Sequence, residues 1–241
     1  MARNVNSILL LATEHPAHFN GRPMEDKKAA VCFALAEEAG AFEKVCGDKV
    51  PFFLTGIGRE NAEKATRKFL EGRKPSLLMT CGFAGGLKSG LEIGDVVFEI
   101  PSNSQPGNDA YTAVRSRLAA AGAKEAKIYC ADRIATTVAD KKKLREETGA
   151  DAAEMESGAV HAVCASQGIP CVTVRVISDT AGEDLPLDFN NFLKEDKSMD
   201  MSKLMGAVAK APWKIGALME LQKNTKVAAQ RLADVLVKAI G

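Results

Sequence analysis

The sequence lacks the features that mark membrane, secreted and nucleic-acid-binding proteins. No apolar run reaches the roughly 20 residues that a membrane span needs, and the apolar stretch near the N-terminus soon meets Glu14 and Pro16, which is unlike a secretory signal. Charges nearly cancel, with 32 Lys and Arg against 31 Asp and Glu. We therefore expect a cytoplasmic protein with no membrane span and no nucleic-acid partner, whose ligand is a small molecule.

Metal-binding motifs are also absent from the sequence. The six cysteines form no C-x-x-C pair and most lie in apolar stretches, so we expect reduced thiols within the core. Among the three histidines, His161 lies with Cys164 at i, i+3 spacing, but no further ligand follows at metal-binding distance. We predict no metal and no other cofactor.

Two glycine-bearing turns follow apolar runs, in "TGIGREN" (55–61) and "CGFAGGL" (81–87). Glycine at such a place lets the backbone approach a ligand, although a tight turn alone would explain it equally well. Neither turn completes G-x-G-x-x-G at the start of a helix, which makes a dinucleotide-binding fold a weak interpretation.

Apolar runs that alternate with helical stretches predict a single α/β domain, with a central, mixed, largely buried sheet flanked by helices. The candidate strands are 29–35, 50–57, 76–82, 95–100, 126–131 and 170–178. Helical spacing occurs over 59–72, 108–122, 139–149 and 155–168, and in two helices separated near Pro212. Residues 1–26 are interpreted as an N-terminal extension of a domain that spans 27–241.

A run of three lysines, Lys141–Lys143, lies in the predicted helix 139–149 beside Glu146 and Glu147. Lysines and glutamates at this spacing are typical of a solvated helix face. We expect this run to be exposed, with no binding role.

One carboxylate stands where a sheet of this class binds ligands. Asp179 follows "VTVRVIS", at the carboxyl end of the strand candidate 170–178. A carboxylate there is a candidate general acid or base, although an N-cap or loop aspartate would also explain it.

Two further acidic pairs lie near predicted element boundaries. Glu154 and Glu156 flank the start of the helix 155–168, where the helix dipole favours acids. Glu37 and Glu38 follow the first predicted strand, and they would lie at the sheet edge of Asp179 if the two strands are parallel.

Four segments carry a family resemblance: "ALAEEAG", "TGIGRENA", "CGFAGGLKSGLEIGDVV" and "AEMESGAVHAVCASQGIPCVTVRVISD". In their order and spacing, over roughly 28–240, the chain resembles the nucleoside phosphorylase/nucleosidase (PNP/UDP phosphorylase) family, most of all its methylthioadenosine/S-adenosylhomocysteine nucleosidase branch. The stretch "ISDTAGEDLPLDF" is similar to hopanoid-associated members, which are thought to cleave adenosylhopane. The resemblance implies a nucleoside phosphorylase-like fold, a purine nucleoside substrate, no cofactor and a homo-oligomer, typically a dimer.

The resemblance also implies roles for individual residues. Asp179 would protonate N7 of the purine, Glu38 would orient and deprotonate the attacking water, and Glu156 would bind the ribose hydroxyls. The implied substrate-binding residues are Phe83, Ala84, Gly85, Ile134, Ala135, Met155, Ser178 and Phe189.

Two positions favour water over phosphate as the nucleophile. Where phosphorylases of the family carry an arginine and a serine that bind phosphate, this chain has Thr80 and Phe83. Losing a guanidinium and a hydroxyl removes two good anion ligands. Arg59 and Arg175 are other cations, so phosphorolysis remains the alternative.

The segment Pro101–Ala110 is shorter than its counterpart in the nucleosidases of small substrates, where it helps to close the 5′ pocket. We infer a more open 5′ side and a large or apolar 5′ group, so the hypothesis is hydrolysis of a 5′-modified adenosine. The alternatives are phosphorolysis, a non-catalytic nucleoside-binding module on the same fold, and a dinucleotide-dependent enzyme.

Overall fold

The computed structural model describes residues 28–101 and 109–240. The proposed N-terminal extension, 1–26, and most of the short segment 101–110 lie outside the described residues. The strands are β1 (Ala29–Phe33), β2 (Phe52–Leu54), β3 (Leu77–Gly86), β4 (Val96–Glu99), β5 (Lys124–Glu125), β6 (Ile128–Cys130), β7 (Ala152–Glu154) and β8 (Cys171–Asp179). The α-helices are α1 (Ala36–Cys46), α2 (Arg59–Leu70), α3 (Asp109–Ala120), α4 (Val138–Thr148), α5 (Ser157–Ser166), α6 (Met201–Lys210) and α7 (Ile215–Ile240). Short 3₁₀ turns occupy Gly47–Lys49, Phe189–Phe192 and Pro212–Lys214.

The strands form one mixed sheet in the order β2-β1-β3-β8-β4-β5. The strands β2, β1, β3 and β8 are parallel to one another, whereas β4 is antiparallel to β8. The strand β7 pairs antiparallel with the end of β3, and β6 pairs parallel with β7. The predicted mixed sheet within an α/β fold is therefore confirmed.

Apolar side chains cover both faces of the sheet. On one face, strand residues such as Phe33 and Val174 pack with Phe42 of α1 and Leu232 of α7. On the other face, a second cluster joins the sheet to α2 and α5. Every residue of β8 is buried, including the polar residues Thr173, Arg175, Ser178 and Asp179. No helix in the described part of the chain is long and apolar enough to cross a membrane.

Several predicted boundaries differ from the structure. The first strand ends at Phe33, and the next residues begin helix α1, which contains Glu38. The helix predicted to begin at Met155 begins at Ser157 instead, and Glu154 before it ends the short strand β7, which was not predicted. The two C-terminal helices are separated at Pro212, as predicted.

The carboxyl ends of β1, β3 and β8 meet at the same edge of the sheet because these strands are parallel. Helix α1, which carries Glu38, follows β1 at this edge, and Asp179 ends β8. A register shift between Ala84 and Gly85 places Gly85 opposite Asp179. The parallel arrangement on which the prediction for Glu38 depended is therefore present.

Candidate active site

A cavity of about 240 Å³ opens at the carboxyl edge of the sheet. The residues predicted from the sequence to form the site all line it: Glu38, Phe83, Ala84, Gly85, Ile134, Ala135, Met155, Glu156, Ser178, Asp179 and Phe189. They come from α1, from the two strands β3 and β8, from the 3₁₀ turn at Phe189–Phe192 and from connecting loops, so the fold brings together residues that are far apart in the sequence. Their chemical roles remain predictions.

Backbone N–H groups hold Glu38 in place. Its Oε2 accepts hydrogen bonds from the N–H groups of Ala34 (2.8 Å) and Leu35 (2.9 Å), and its Oε1 accepts one from Phe83 (2.7 Å). Burial raises the pKa of Glu38 above its usual value, and these N–H donors only partly oppose that effect. The carboxyl group is therefore oriented by the backbone and easier to protonate than an exposed glutamate.

Gly82 is required beside this carboxyl group. Its φ is 152°, and a Cβ at this position would lie 2.6 Å from Oε1 of Glu38. Any other residue would displace the carboxyl group or the strand, because contacts this short are not tolerated. Gly82, the first glycine of "CGFAGG", thus allows the Glu38 side chain to approach the strand closely.

Glu154 and Arg175 form an ion pair beneath the cavity. Arg175 Nη2 lies 2.5 Å from Glu154 Oε2, and both side chains are almost fully buried. Glu154 also accepts hydrogen bonds from the backbone N–H groups of Glu156 and Ser157 and from the Ser157 hydroxyl. Burial would raise the pKa of Glu154, but the positive charge of Arg175 and these donors outweigh it, so the pKa is lowered.

Glu156 has the opposite electrostatic environment, although it is two residues away. Its Oε1 accepts a hydrogen bond from the Gly58 N–H at 2.9 Å. Burial, followed by the negative charge of Glu154, raises the pKa of Glu156 to about 8. Glu156 is therefore mostly protonated at neutral pH, whereas Glu154 is ionised.

Asp179 is held at both carboxylate oxygens. The Ser178 hydroxyl donates to Oδ1 at 2.7 Å, and Lys141 Nζ lies 2.6 Å from Oδ2. The prediction that Lys141 is exposed was wrong, because its side chain is fully buried and lines the cavity. The prediction holds for Lys142 and Lys143, which are exposed and pair with glutamates one turn along α4.

The side-chain amide of Asn190 forms two hydrogen bonds with the loop that contains Ile134. Asn190 Oδ1 accepts a hydrogen bond from the Ile134 N–H at 2.9 Å, and Asn190 Nδ2 donates to the Ile134 carbonyl at 3.0 Å. The Ile134 backbone is therefore engaged by protein, while Ile134 and Ala135 still line the cavity. Sequence reasoning missed Asn190, which follows the predicted pocket residue Phe189.

One wall of the cavity is apolar and comes from the C-terminal part of the chain. Its residues are Leu185, Phe189, Met199, Leu204 and Leu221. These side chains continue a core cluster that joins the 3₁₀ turn at Phe189–Phe192 to helices α6 and α7. This wall therefore favours an apolar ligand group over a charged one.

The two other cations considered as phosphate ligands are engaged elsewhere. Arg175 is 1% exposed and bonds Glu154 and Thr80, so its interpretation as an available cation was wrong. Arg59 bonds the Cys130 carbonyl and pairs with Asp132. These contacts leave the phosphate hypothesis without its two suggested ligands.

Metal-ligating side chains do not cluster in the part of the chain that the structure describes: no group of three or more His, Cys, Asp or Glu is suitably placed. His161 Nε2 lies 2.8 Å from the Thr173 hydroxyl, and burial lowers the pKa of His161 to about 4. His161 is therefore neutral and bonded within the protein.

Comparison with known proteins places this geometry in a family. The family profile described as "Phosphorylase superfamily" matches residues 98–240. The chain belongs to the phosphorylase superfamily. Among curated members, the 5′-methylthioadenosine/S-adenosylhomocysteine nucleosidase of Shewanella sediminis is 30% identical over 196 residues, covering 70% of this chain and 84% of the relative. The aminodeoxyfutalosine nucleosidase of Campylobacter jejuni is 28% identical over 176 residues, covering 63% and 77%.

Solved structures agree with the superfamily fold. The futalosine hydrolase of Helicobacter pylori superimposes with a TM-score of 0.58 at 19% identity, covering 88% of this chain and 98% of that one. The 5′-methylthioadenosine/S-adenosylhomocysteine nucleosidase from Neisseria meningitidis, in complex with methylthio-immucillin-A, gives a TM-score of 0.58 at 18% identity, with 88% and 99% covered. At this identity the likeness establishes the fold alone.

The raised pKa of Glu156 predicts how stability depends on pH. Since the folded-state pKa is about 8 and the ordinary value is 4.5, the unfolded chain loses the Glu156 proton from about pH 5 while the folded chain keeps it, so the stability of the folded state falls until the pH passes about 8. We expect Glu156→Gln, which cannot ionise, to match the wild type near pH 5 and to gain stability relative to it as the pH rises to about 9. Urea unfolding at several pH values measures this difference.

The exposed Glu146→Gln in α4 is the control for this comparison and should show no such trend. A stability difference between Glu156→Gln and the wild type that stays constant with pH would contradict the protonated state assigned to Glu156.

Proposed function

We propose that this chain hydrolyses the N-glycosidic bond of a purine nucleoside, with a 5′-modified adenosine as its substrate and water as its nucleophile. The observation that carries the proposal is the convergence of Glu38, Glu156 and Asp179 in one cavity, each in a different electrostatic environment. The nucleosidases among the curated relatives, named for adenosine derivatives, support the same reaction.

The chemistry of the bond explains why three acidic groups are useful. As the bond breaks, the sugar develops positive charge and the purine leaves with negative charge. The site must therefore deliver a proton to the purine, tolerate a cationic sugar and direct a water molecule. Proton delivery of this kind contributes about 10²–10⁴-fold to a rate.

Glu38 is proposed to bind and deprotonate the water. Its Oε2 already accepts two N–H groups and its Oε1 accepts one, so a lone pair on Oε1 is left to accept a hydrogen bond from water. Its raised pKa brings its basicity closer to neutral pH, where a general base is most effective.

Glu156 is proposed to bind the ribose hydroxyls, with Met155 packed beneath the sugar. A protonated carboxyl group can donate one hydrogen bond and accept others, which matches a diol. As the sugar becomes cationic, ionisation of Glu156 becomes easier, so its interaction with the sugar strengthens as the bond breaks.

Water is favoured over phosphate by the residues near the nucleophile. Thr80 is buried and accepts a hydrogen bond from Arg175, while Phe83 brings an apolar side chain to the cavity. Neither provides the charged donor that a phosphate dianion needs in a buried site.

The 5′ substituent is proposed to contact the apolar wall. With the purine at Asp179 and the ribose at Glu156, the surface that remains is formed by side chains such as Leu185, Met199 and Leu221. A hydrocarbon substituent gains about 25 cal/mol for each Å² of apolar surface that it buries there. A long apolar group of the adenosylhopane kind suits this wall better than a charged one.

We also propose that the chain works as a cytoplasmic homodimer. All six cysteines are free thiols, which suits a reducing compartment, and two-fold assembly is the commonest arrangement of soluble oligomers. Sedimentation velocity on the active protein should give the mass of a dimer, and an active monomer would contradict this assembly.

The substrate hypothesis is tested with a panel of nucleosides: methylthioadenosine, S-adenosylhomocysteine, inosine and an adenosine with a long 5′-alkyl group. We expect adenine to be released without phosphate, with the highest kcat/KM for the alkyl compound. Strict dependence on phosphate, with ribose 1-phosphate as the product, would replace hydrolysis by phosphorolysis. Equal turnover of the alkyl compound and methylthioadenosine, or turnover of methylthioadenosine alone, would exclude the apolar 5′ group.

Asp179→Asn tests the proposed general acid. The amide keeps the size of the side chain but cannot pass a proton to N7, so kcat should fall by about 10²–10⁴-fold. Phe189→Leu trims one pocket wall and should cost about tenfold or less, mainly in KM. Steady-state release of adenine measures both, and a larger loss for Phe189→Leu would contradict the role of Asp179.

A further inference from the structure

We propose that Lys141 is a positioning residue for this reaction: it holds the Asp179 carboxylate ionised and oriented in the resting site, and it supplies the proton that Asp179 passes to the departing purine. The proton-supply part rests on the proposed function, whereas the ionised resting state of Asp179 does not.

The first observation is the complete engagement of the lysine side chain. Lys141 Nζ lies 2.6 Å from Asp179 Oδ2 and donates to the carbonyl oxygens of Thr180 (2.7 Å) and Glu183 (2.9 Å). Three acceptors surround a group that has three protons only when it is an ammonium ion. The geometry therefore fits charged lysine rather than the neutral amine.

Because Lys141 and Asp179 are both buried, their pairing determines whether each of them is charged. A buried lysine without an anion loses its proton, because removing the charge from water is costly. The side chain of Lys141 is fully buried, and the paired Asp179 is 9% exposed. Each charge therefore depends on the other, and removing either one leaves an uncompensated charge or changes the protonation of its partner.

Other charged groups near Lys141 have different partners. On its own helix, Asp140 accepts the Thr137 N–H. On the loop after β8, Glu183 accepts the Thr180 N–H and Asp184 accepts the Val138 N–H. Arg133, from the loop before α4, lines the same cavity and adds positive charge. Asp179 on β8 is thus the carboxylate that balances Lys141 among the described residues.

The second observation concerns the acid itself. Asp179 accepts the Ser178 hydroxyl at Oδ1 and faces Lys141 at Oδ2, so donors occupy both oxygens. Hydrogen bonds to both oxygens favour the ionised form of a carboxyl group. An ionised Asp179 has no proton of its own to give to N7, and Lys141 is the donor in contact with it.

The proposed step conserves every proton and electron pair. The C1′–N9 bond breaks with its electron pair on the purine, whose nitrogens become more basic. A proton moves from Lys141 Nζ to Asp179 and on to N7, while water forms the new bond to C1′ and its proton passes to Glu38. Proton exchange with solvent then restores Lys141 and Glu38, so the net change is the addition of water across the glycosidic bond.

Two substitutions separate the two parts of the proposal. Lys141→Met removes the charge and the proton, whereas Lys141→Arg keeps the charge but carries a group that does not give up its proton in proteins. Lys143→Met, two residues further along the same helix, changes an exposed lysine paired with Glu147 and serves as the matched control.

The kinetic readout is the pH profile of kcat with the 5′-alkyl adenosine. Both Lys141 variants should lose about 10²-fold or more near pH 8, while Lys143→Met keeps the wild-type rate. In Lys141→Met the alkaline limb should also move to lower pH, because the carboxyl group must then hold the transferred proton without the lysine. Loss of rate with an unmoved alkaline limb, or wild-type kcat in Lys141→Arg, would overturn the proton supply.

The second readout does not depend on turnover. Carbon-13 NMR of protein labelled at aspartate carboxyl groups follows Asp179, whose signal is identified by its absence in Asp179→Asn. At neutral pH the signal should have the chemical shift of a carboxylate in the wild type and in Lys141→Arg, and should move toward that of a carboxylic acid in Lys141→Met. A protonated Asp179 in the wild type at neutral pH would overturn the resting state that we propose.

The outcomes also separate this proposal from the proposed function. If the wild-type protein releases no purine from any nucleoside of the panel, the proposed function fails and the proton supply fails with it. The NMR comparison of the wild type with the Lys141 variants then still decides whether Lys141 holds Asp179 ionised. If the wild type is active, the pH profiles decide the proton supply by themselves.

Discussion

The buried guanidinium of Arg175 is the charge on which the arrangement of the site depends. It pairs with Glu154, and its positive charge also reaches Glu38 and Glu156, whose pKa values would be raised further without it. Three carboxyl groups around one cation cannot all be ionised at low cost. Arg175 pairs directly with Glu154, so Glu154 is ionised, Glu156 keeps its proton and the pKa of Glu38 is raised.

Backbone hydrogen bonds determine which of the two neighbouring acids, Glu154 and Glu156, is ionised and which is protonated. Glu154 ends β7, where the N–H groups at the start of α5 point at it and favour its charge. Glu156 lies beyond those donors and receives the Gly58 N–H from another loop. Neighbouring acids in "EME" thus have opposite protonation because a strand ends and a helix begins between them.

The sequence allowed much of this site to be predicted, for reasons that are physical. Asp179 and Glu38 follow apolar runs that form parallel strands, and such strands place their carboxyl ends together. Lys141 was missed because three consecutive lysines in a polar helix give no clear inward face. Its spacing of three residues before Leu144, the first apolar residue after the three lysines, was the available signal. The strand β7 was missed because three residues with two alanines carry little strand propensity.

The amide of Asn190 links two parts of the site that have different tasks. It joins the Ile134 backbone to the segment that carries Phe189 and leads into the apolar wall. Displacing that segment to admit a bulky substituent therefore also moves Ile134 and Ala135. Under the proposed function, contact with the purine and accommodation of its 5′ group are consequently not independent, because a change that widens one end of the cavity also alters the other end.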